Sequence, residues 1–244
     1  MAVNYLITPR HGLRAVYSEA VRSPDMFENN INWSYTVKNL SPNAFGQQHG
    51  EYFVKTRGPG DLDQERMRSR ELGYNGYFSD IELSMDVKLF YDEITGMISE
   101  PLQNNQYIAS NANKARFSGS EAQLDWRPTL RDRLRLTYAY VVDAWASNPD
   151  DRRLSARNSG SAGWMREWGD GWSSALFYYG DDALNQYRYE RLDLRLAKRF
   201  RVQGSNLELA ALWQQRLDDE PSTATVQNRY DSRHRLSFSA ELAF

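Results

Sequence analysis

Three histidines, several doubled acids and a few arginines on alternating stretches are the residues in this 244-residue chain with the chemical types to do more than pack. His11, His49 and His234 are too far apart, and too poorly spaced, for a metal motif, and they read as solvated side chains. Asp150-Asp151 runs directly into Arg152-Arg153, so the acids there are neutralised by their neighbours and suggest a solvated loop more than a calcium site. Asp181-Asp182 and Asp218-Asp219-Glu220 fall in predicted loops. Cysteine is absent, which removes thiol nucleophiles, disulfides and zinc-thiolate centres. The glycine pair in Gly73-Tyr74-Asn75-Gly76-Tyr77-Phe78 lies inside a predicted strand and precedes no helix, so it does not make a phosphate loop. No acid, hydroxyl or base has the context of a hydrolase site, and the residues point to no enzyme and no resident cofactor. With a formal net charge of -2 and cations spread singly, nothing favours nucleic acid. Arg135, Arg191 and Arg195 remain, each on one side of an alternating run, where pairing between strands or with an anionic partner is expected.

The elements that position these arginines are long ribbons of period two. The stretch from Glu65 to Ile98 holds two alternating runs meeting at a predicted two-residue break, Ser79-Asp80. In the second run Leu83, Met85, Val87, Leu89 and Tyr91 alternate with Glu82, Ser84, Asp86, Lys88 and Phe90. Each run exceeds the roughly 9 to 11 residues a tilted strand needs to cross a bilayer. One face is apolar and the other mostly polar, as for a strand between lipid and a wet lumen, or between a core and water. No window of the chain resembles a transmembrane helix, so insertion would have to be as a barrel. A mean hydropathy of -0.73 is compatible with that, because half of every barrel strand faces water.

The same alternation recurs along the chain, in about eleven predicted strands. Residues 2 to 7 and 12 to 21 flank a turn at 8 to 11. Leu124 and Trp126 share a face in one strand, as do Leu134, Leu136, Tyr138 and Tyr140 in the next. A glycine-rich run at about 157 to 167 is the least marked. Leu192, Leu194 and Leu196 alternate with Arg191, Asp193 and Arg195, and the last strand sets Leu236, Phe238, Ala240, Leu242 and Phe244 against polar residues. Short turns (8 to 11, 79 to 80, 127 to 132, 168 to 171, 201 to 205) alternate with longer loops (23 to 64, 99 to 114, 143 to 155, 180 to 187, 217 to 229). All short turns then lie on one rim and all long loops on the other, as in outer-membrane barrels, with the C-terminus at the periplasmic rim. Trp126, Trp168, Trp172 and Trp213 fall near strand ends, where an interfacial girdle would place them. The loop from 23 to 64, punctuated by prolines and glycines, reads as structureless and functional. Met1 leads into the first strand without an export signal, and the odd strand count suggests a piece of a longer barrel.

Several segments together resemble the C-terminal half of a TonB-dependent outer-membrane receptor. They are LITPRHGLRAVYSEAVRSPDMFE, ERMRSRELGYNGYF, LSMDVKLFYDEITGMI, SGSEAQLDWRP, LRLTYAYV, YERLDLRLAKRF and the terminal aromatic Phe244, in an order and spacing that cover essentially all 244 residues. The fold this implies is all-β, an antiparallel transmembrane β-barrel portion of about eleven strands from a 22-strand barrel, with 1–244 as one barrel domain and the N-terminal plug lacking. The resemblance further implies TonB-energised uptake of a scarce ligand, a ferric siderophore foremost, captured by extracellular loops and chiefly by residues 23–64. Its implied partners are outer-membrane lipid, the barrel assembly machinery, and the TonB complex through the lacking plug. Phe238, Ala240, Leu242 and Phe244 would form the assembly signal, and Arg135, Arg191 and Arg195 would face carboxylates of the plug or pair between strands. A truncated fragment that does not transport and an outer-membrane barrel enzyme are the alternatives.

Overall fold

The structure, a computed structural model, describes residues 1–38, 51–99, 106–148, 151–152, 155–184, 187–202, 204–218 and 233–243. Eleven strands form one sheet in which each strand pairs antiparallel with the next: β1 (Ala2–Thr8), β2 (His11–Arg22), β5 (Glu65–Phe78), β6 (Leu83–Met97), β8 (Asn113–Trp126), β9 (Asp132–Ala146), β10 (Asn158–Gly169), β11 (Trp172–Leu184), β12 (Tyr187–Val202), β13 (Ser205–Arg216) and β14 (His234–Ala243). The sheet is open, with β1 and β14 at its edges. Between β2 and β5 the chain builds a short helix, α1 (Met26–Asn30), and two strands, β3 (Asn32–Lys38) and β4 (Glu51–Arg57). With β7 (Gln106–Ile108) these strands make a second, three-stranded sheet. Among the described residues no helix is long and apolar enough to cross a membrane.

The register carries one apolar face across the whole large sheet. Leu13 faces Tyr74, which faces Val87, which faces Ala122 and then Tyr138. Further along, Trp164 faces Leu176, followed by Leu194, Trp213 and Leu236. Large apolar side chains of this face stand open over a wide area, with Leu89 57%, Leu194 44% and Phe238 77% accessible, more than a water-soluble sheet ordinarily leaves uncovered. Adjacent rows of the opposite face read Lys88, Glu121 and Ala139, or Asp86, Gln123 and Thr137. Because a one-residue slip would exchange the two faces, this alternation fixes the register of every pairing. On β12 the apolar set Leu192, Leu194 and Leu196 is bracketed by Glu190 and Lys198. That span corresponds to about 26 Å along the strand, or about 20 Å of depth once tilted, close to the roughly 25 Å apolar band of outer-membrane barrels.

The turns depart from the sequence expectation in two places. The break in the long hairpin holds four residues, because Phe78 pairs with Leu83 and leaves Ser79, Asp80, Ile81 and Glu82 to turn, the last at φ 53°. The expected loop at 180 to 187 is mostly strand: Leu184 pairs with Tyr187. Asp181 and Asp182 therefore sit on β11, where Asp182 accepts a hydrogen bond from Asn158 of the neighbouring β10 at 2.5 Å. Consecutive acids are turn-formers in isolation, but a cross-strand donor satisfies this one without leaving the ladder. The glycine-rich run proves to be a full strand, with Gly163 opposite Phe177, whose ring occupies the space a β-carbon would need.

The described parts of the loop from 23 to 64, residues 23–38 and 51–64, are not structureless. Asp25 caps α1, accepting from the Glu28 amide at 2.6 Å while its own amide donates to the Glu28 carboxylate at 2.9 Å, a complete capping box. Strands β3 and β4 pair from Asn32 with Arg57 through Lys38 with Glu51. Their sequences, NWSYTVK and EYFVKTR, carry the strand signal that the flanking prolines and glycines obscured.

Candidate functional site

Two surfaces are placed to meet another molecule: the long-loop rim and the polar inner wall. At the rim, Arg22 ends β2 and points at two carboxylates. Its Nε donates to Glu65 at 2.5 Å, while Nη1 and Nη2 donate to the two oxygens of Glu28 at 3.0 and 2.9 Å. Glu65 also accepts from the backbone amide of Ile98 at 2.7 Å. One guanidinium thus ties α1 to the mouth of the β5–β6 hairpin, using the fork geometry that suits arginine to carboxylates. Hydrogen bonding from Arg22 holds both Glu65 and Glu28 below the usual carboxylate range, and the same hydrogen bonds raise the pKa of Arg22. Lowered carboxyl pKa values make this anchor fully stabilising above the ordinary glutamate value of about 4.3. The contribution is lost as pH falls through the depressed values. Amide exchange over residues 25–31, corrected for its intrinsic rate, is expected to stay constant from about pH 7 to pH 5 and to accelerate below about pH 4. Acceleration already near pH 6 would contradict the anchor.

The rest of the loop is fastened by its backbone. The Gly58 amide donates to the Ile31 carbonyl at 2.7 Å, and Leu62 donates to the Asn29 side chain at 3.1 Å. A β-carbon on Gly58 would lie 2.3 Å from the Asn29 carbonyl carbon, so only glycine permits this approach. Strand β4 then pairs in parallel with β7, joining the loop from 23 to 64 to the next long loop.

On the inner wall the three arginines singled out in the sequence are paired with carboxylates of the sheet itself. Arg135 donates to Asp125 at 3.1 Å beside Arg133, which binds the same carboxylate at 2.5 Å. Arg195 donates to Glu208 at 2.5 Å, and Arg191 donates to Asp193 at 3.1 Å while lying over the Tyr179 ring at 4.7 Å. Of the two expectations for these side chains, pairing within the sheet is what the geometry shows. Where the inner wall reaches the short-turn rim, a basin of about 860 Å³ is lined by Arg127, Arg131, Arg133 and Arg195 with Glu82 and Glu167.

The remaining candidates take structural places. His11 bonds Tyr74 at 2.7 Å and packs edge-on against Phe78 at 5.0 Å between centroids, on the apolar face beside a short turn. His234 begins β14, and His49 lies outside the described residues. Asp151 is buried and accepts from Ser99 at 2.6 Å; Asp150 and Arg153 lie outside the described residues, and Arg152 sits beside Asp151. Asp218 is buried against Arg216 at 2.7 Å, with Asp219 and Glu220 outside the described residues. Among the described residues no group of three or more histidines and acids is placed to hold a metal. Trp126 donates to the Ile81 carbonyl at 2.9 Å, Trp168 donates to Ser174 at 2.8 Å, and Trp172 receives Lys198 over its ring at 5.2 Å. All three line the short-turn edge of the apolar face, as amphipathic rings do at a lipid boundary, whereas Trp213, expected with them, lies further up the strand between Leu194 and Leu236. Phe238, Ala240 and Leu242 share the outer face of β14, and Phe244 lies outside the described residues.

Known proteins match this arrangement. The structure is similar to that of a mutant of the ferric enterobactin receptor PfeA from Pseudomonas aeruginosa, with a TM-score of 0.63 at 15% identity over 87% of this chain and 33% of that one. The siderophore receptor PirA from Pseudomonas aeruginosa gives 0.66 at 13% identity over 100% of this chain and 41% of that one. The copper transporter OprC gives 0.57 at 18% over 86% and 32%. The chain therefore spans between about a third and two fifths of the length of these solved relatives. None of the curated proteins matches it. The family described as TonB dependent receptor-like, beta-barrel, matches residues 1–232, nearly the whole sequence. An eleven-stranded sheet, greasy outside and ion-paired inside, with structured loops gathered at one rim, agrees with that match, and the chain belongs to the TonB-dependent receptor β-barrel family.

Proposed function

We propose that residues 1–244 form part of the barrel domain of an outer-membrane receptor that takes up a scarce ligand, a ferric siderophore, using energy from the TonB complex delivered through a plug domain. The observation that carries this reading is the asymmetry of the two rims. Tight turns occupy one edge of the apolar band, and a fastened loop, folded over its described residues 23–38 and 51–64, rises from the other. This asymmetry supports a reading in which the loop lies outside the cell, as the ligand-capturing surface, and the C-terminal strand runs toward the periplasm. Phe238, Ala240 and Leu242, with Phe244, then offer the barrel assembly machinery its alternating apolar strand, and the outer face meets membrane lipid. Siderophore-iron is favoured because PfeA and PirA are receptors for such ligands, whereas OprC is a copper transporter.

Both sheet edges require partners, since lipid does not tolerate unpaired backbone groups. Strands β1 and β14 run in the same direction, because the strands alternate and eleven is odd. A second copy of this sheet would meet each edge in parallel. Antiparallel closure therefore calls for strands of the opposite sense, such as the remaining strands of a 22-strand receptor. Deleting the gene and supplying iron as ferric enterobactin, as other ferric chelates or as inorganic iron, with copper(II) in parallel, tests the ligand. Loss of uptake of one ferric chelate alone is expected. Unchanged iron uptake with lost copper accumulation would overturn the siderophore reading.

A further inference from the structure

The large sheet has almost no interior, yet the chain does possess a small core, and its position is unexpected. Of the buried apolar residues, Ile98, Ala109, Ala115 and Ala146 all lie where the long loops leave β6, β8 and β9. Buried polar groups gather at the same height: Asn113, Asn148 and Asp151 are each less than a tenth exposed. Barrel walls do not need such a core, because lipid and lumen flank them. Loops held loosely above a wall would not form one either.

Hydrogen bonds run through this node from one loop to the next. Asn111 accepts from the Asp63 amide at 2.7 Å, and its Nδ2 donates to the carbonyls of Asp63 at 2.9 Å and Gly96 at 2.7 Å. One side chain thus joins the loop from 23 to 64, the end of the β6 strand and the loop from 98 to 112. Gly96 meets it in the left-handed region at φ 64°, a conformation that suits glycine. Asn113 continues the line, donating to the Ser99 carbonyl and accepting from the Ser147 hydroxyl at 3.1 Å. Ser99 donates to Asp151 at 2.6 Å, and the Lys114 amide donates to Ser147 at 2.9 Å, which brings in the loop from 147 to 157. The parallel pairing of β4 with β7 adds a backbone tie above the node.

We propose that the described parts of these three consecutive loops, around Asp63, Gly96, Ser99, Ser147 and Asp151, form one rigid bracket, locked by Asn111 and Asn113 as positioning residues, and that the ligand surface rests on this bracket as a unit and not on the loop from 23 to 64 alone. The inference rests on the uptake reading for its role and on the hydrogen bonds for its existence. A bracket set before binding spares the ligand the cost of ordering three loops. It also favours closure that moves the three together: the buried groups at Asn113, Asn148 and Asp151 resist losing partners, and the more exposed Asn111 adds three bonds to Asp63 and Gly96. Asn111→Ala removes three hydrogen bonds at once, whereas Asn111→Asp keeps the acceptor and loses both donated bonds.

These 244 residues hold no cysteine, so spin labels can be placed at Asp61→Cys and Arg152→Cys, on the first and third loops, in the complete receptor expressed from the whole gene, with any cysteine elsewhere in it first replaced by serine. The label-to-label distance distribution is expected to be narrow without ligand and to at least double in width in Asn111→Ala, with a smaller broadening in Asn111→Asp. A broad distribution in the parent, or no change in either variant while the barrel still assembles, would overturn the bracket. Asn113→Ala, cutting the second link, should broaden the same distance and serves if Asn111→Ala does not assemble. In uptake, the half-saturating concentration of ferric enterobactin should rise roughly tenfold in Asn111→Ala with the maximal rate unchanged. A fall in maximal rate alone would reduce Asn111 to a stabilising residue. Should the parent take up no ferric enterobactin, the ligand assignment falls, and the distance measurement still decides the bracket.

Discussion

Replacing Leu194 with arginine is expected to cost about 2 to 4 kcal/mol of barrel stability, roughly 30- to 1000-fold in the folded equilibrium, if β12 crosses the bilayer. Leu194 is midway between Glu190 and Lys198 on the outer face, beside Leu176 and Trp213, with no acid in its row to pair a guanidinium. Hydrocarbon offers the new charge neither water nor a counter-ion. The control is Gln123→Arg on the inner face, across from Asp86, which is expected to change stability by no more than about 0.5 kcal/mol. Refolding from urea into lipid vesicles measures both variants under the same conditions. Equal costs at the two positions would mean that the sheet does not separate lipid from water.

Exchanging residues 26–62 for a short glycine-serine linker is expected to abolish capture of the ferric chelate, with uptake falling at least a hundredfold, while the barrel still assembles. The large sheet keeps every ladder bond when this segment is gone, because β2 pairs directly with β5 from Arg22 with Glu65 to His11 with Gly76. Glu65 loses Glu28 as co-partner of Arg22 but keeps the arginine and the Ile98 amide. Heat-modifiable migration on gels reports assembly, and uptake of labelled iron reports capture. Retained uptake would move the ligand surface to the other loops, and failed assembly would show that the bracket is needed to fold the wall.

The wall of this protein was legible because two solvents write on alternate residues. Leu83 through Tyr91 display the outer face of β6 without reference to any other strand, and the hairpin from Glu65 to Ile98 holds as read, apart from its longer turn. What could not be read is whatever depends on partners far along the chain. Asn111 looks like one polar residue in a loop of many, and only the fold brings Asp63 and Gly96 to it. Arg135 and Arg195 were identifiable as inward-facing, but their carboxylates, Asp125 and Glu208, are fixed by register. Strands β3 and β4 were hidden by the prolines and glycines around them, although NWSYTVK alternates as clearly as any membrane strand. Asp181 and Asp182 misled in the opposite sense, because a turn propensity yields to a paired ladder.

Single cysteines placed in turn along β12 from Tyr189 to Arg199, spin-labelled in lipid vesicles, report directly which medium each side chain meets. Even-numbered positions from Leu192 to Leu196 should collide with dissolved oxygen and be shielded from a water-soluble relaxation agent, and Arg191, Asp193, Arg195 and Ala197 should show the reverse. A profile without that period of two, or water access at Leu192, Leu194 and Leu196, would contradict a wall standing between hydrocarbon and a wet lumen.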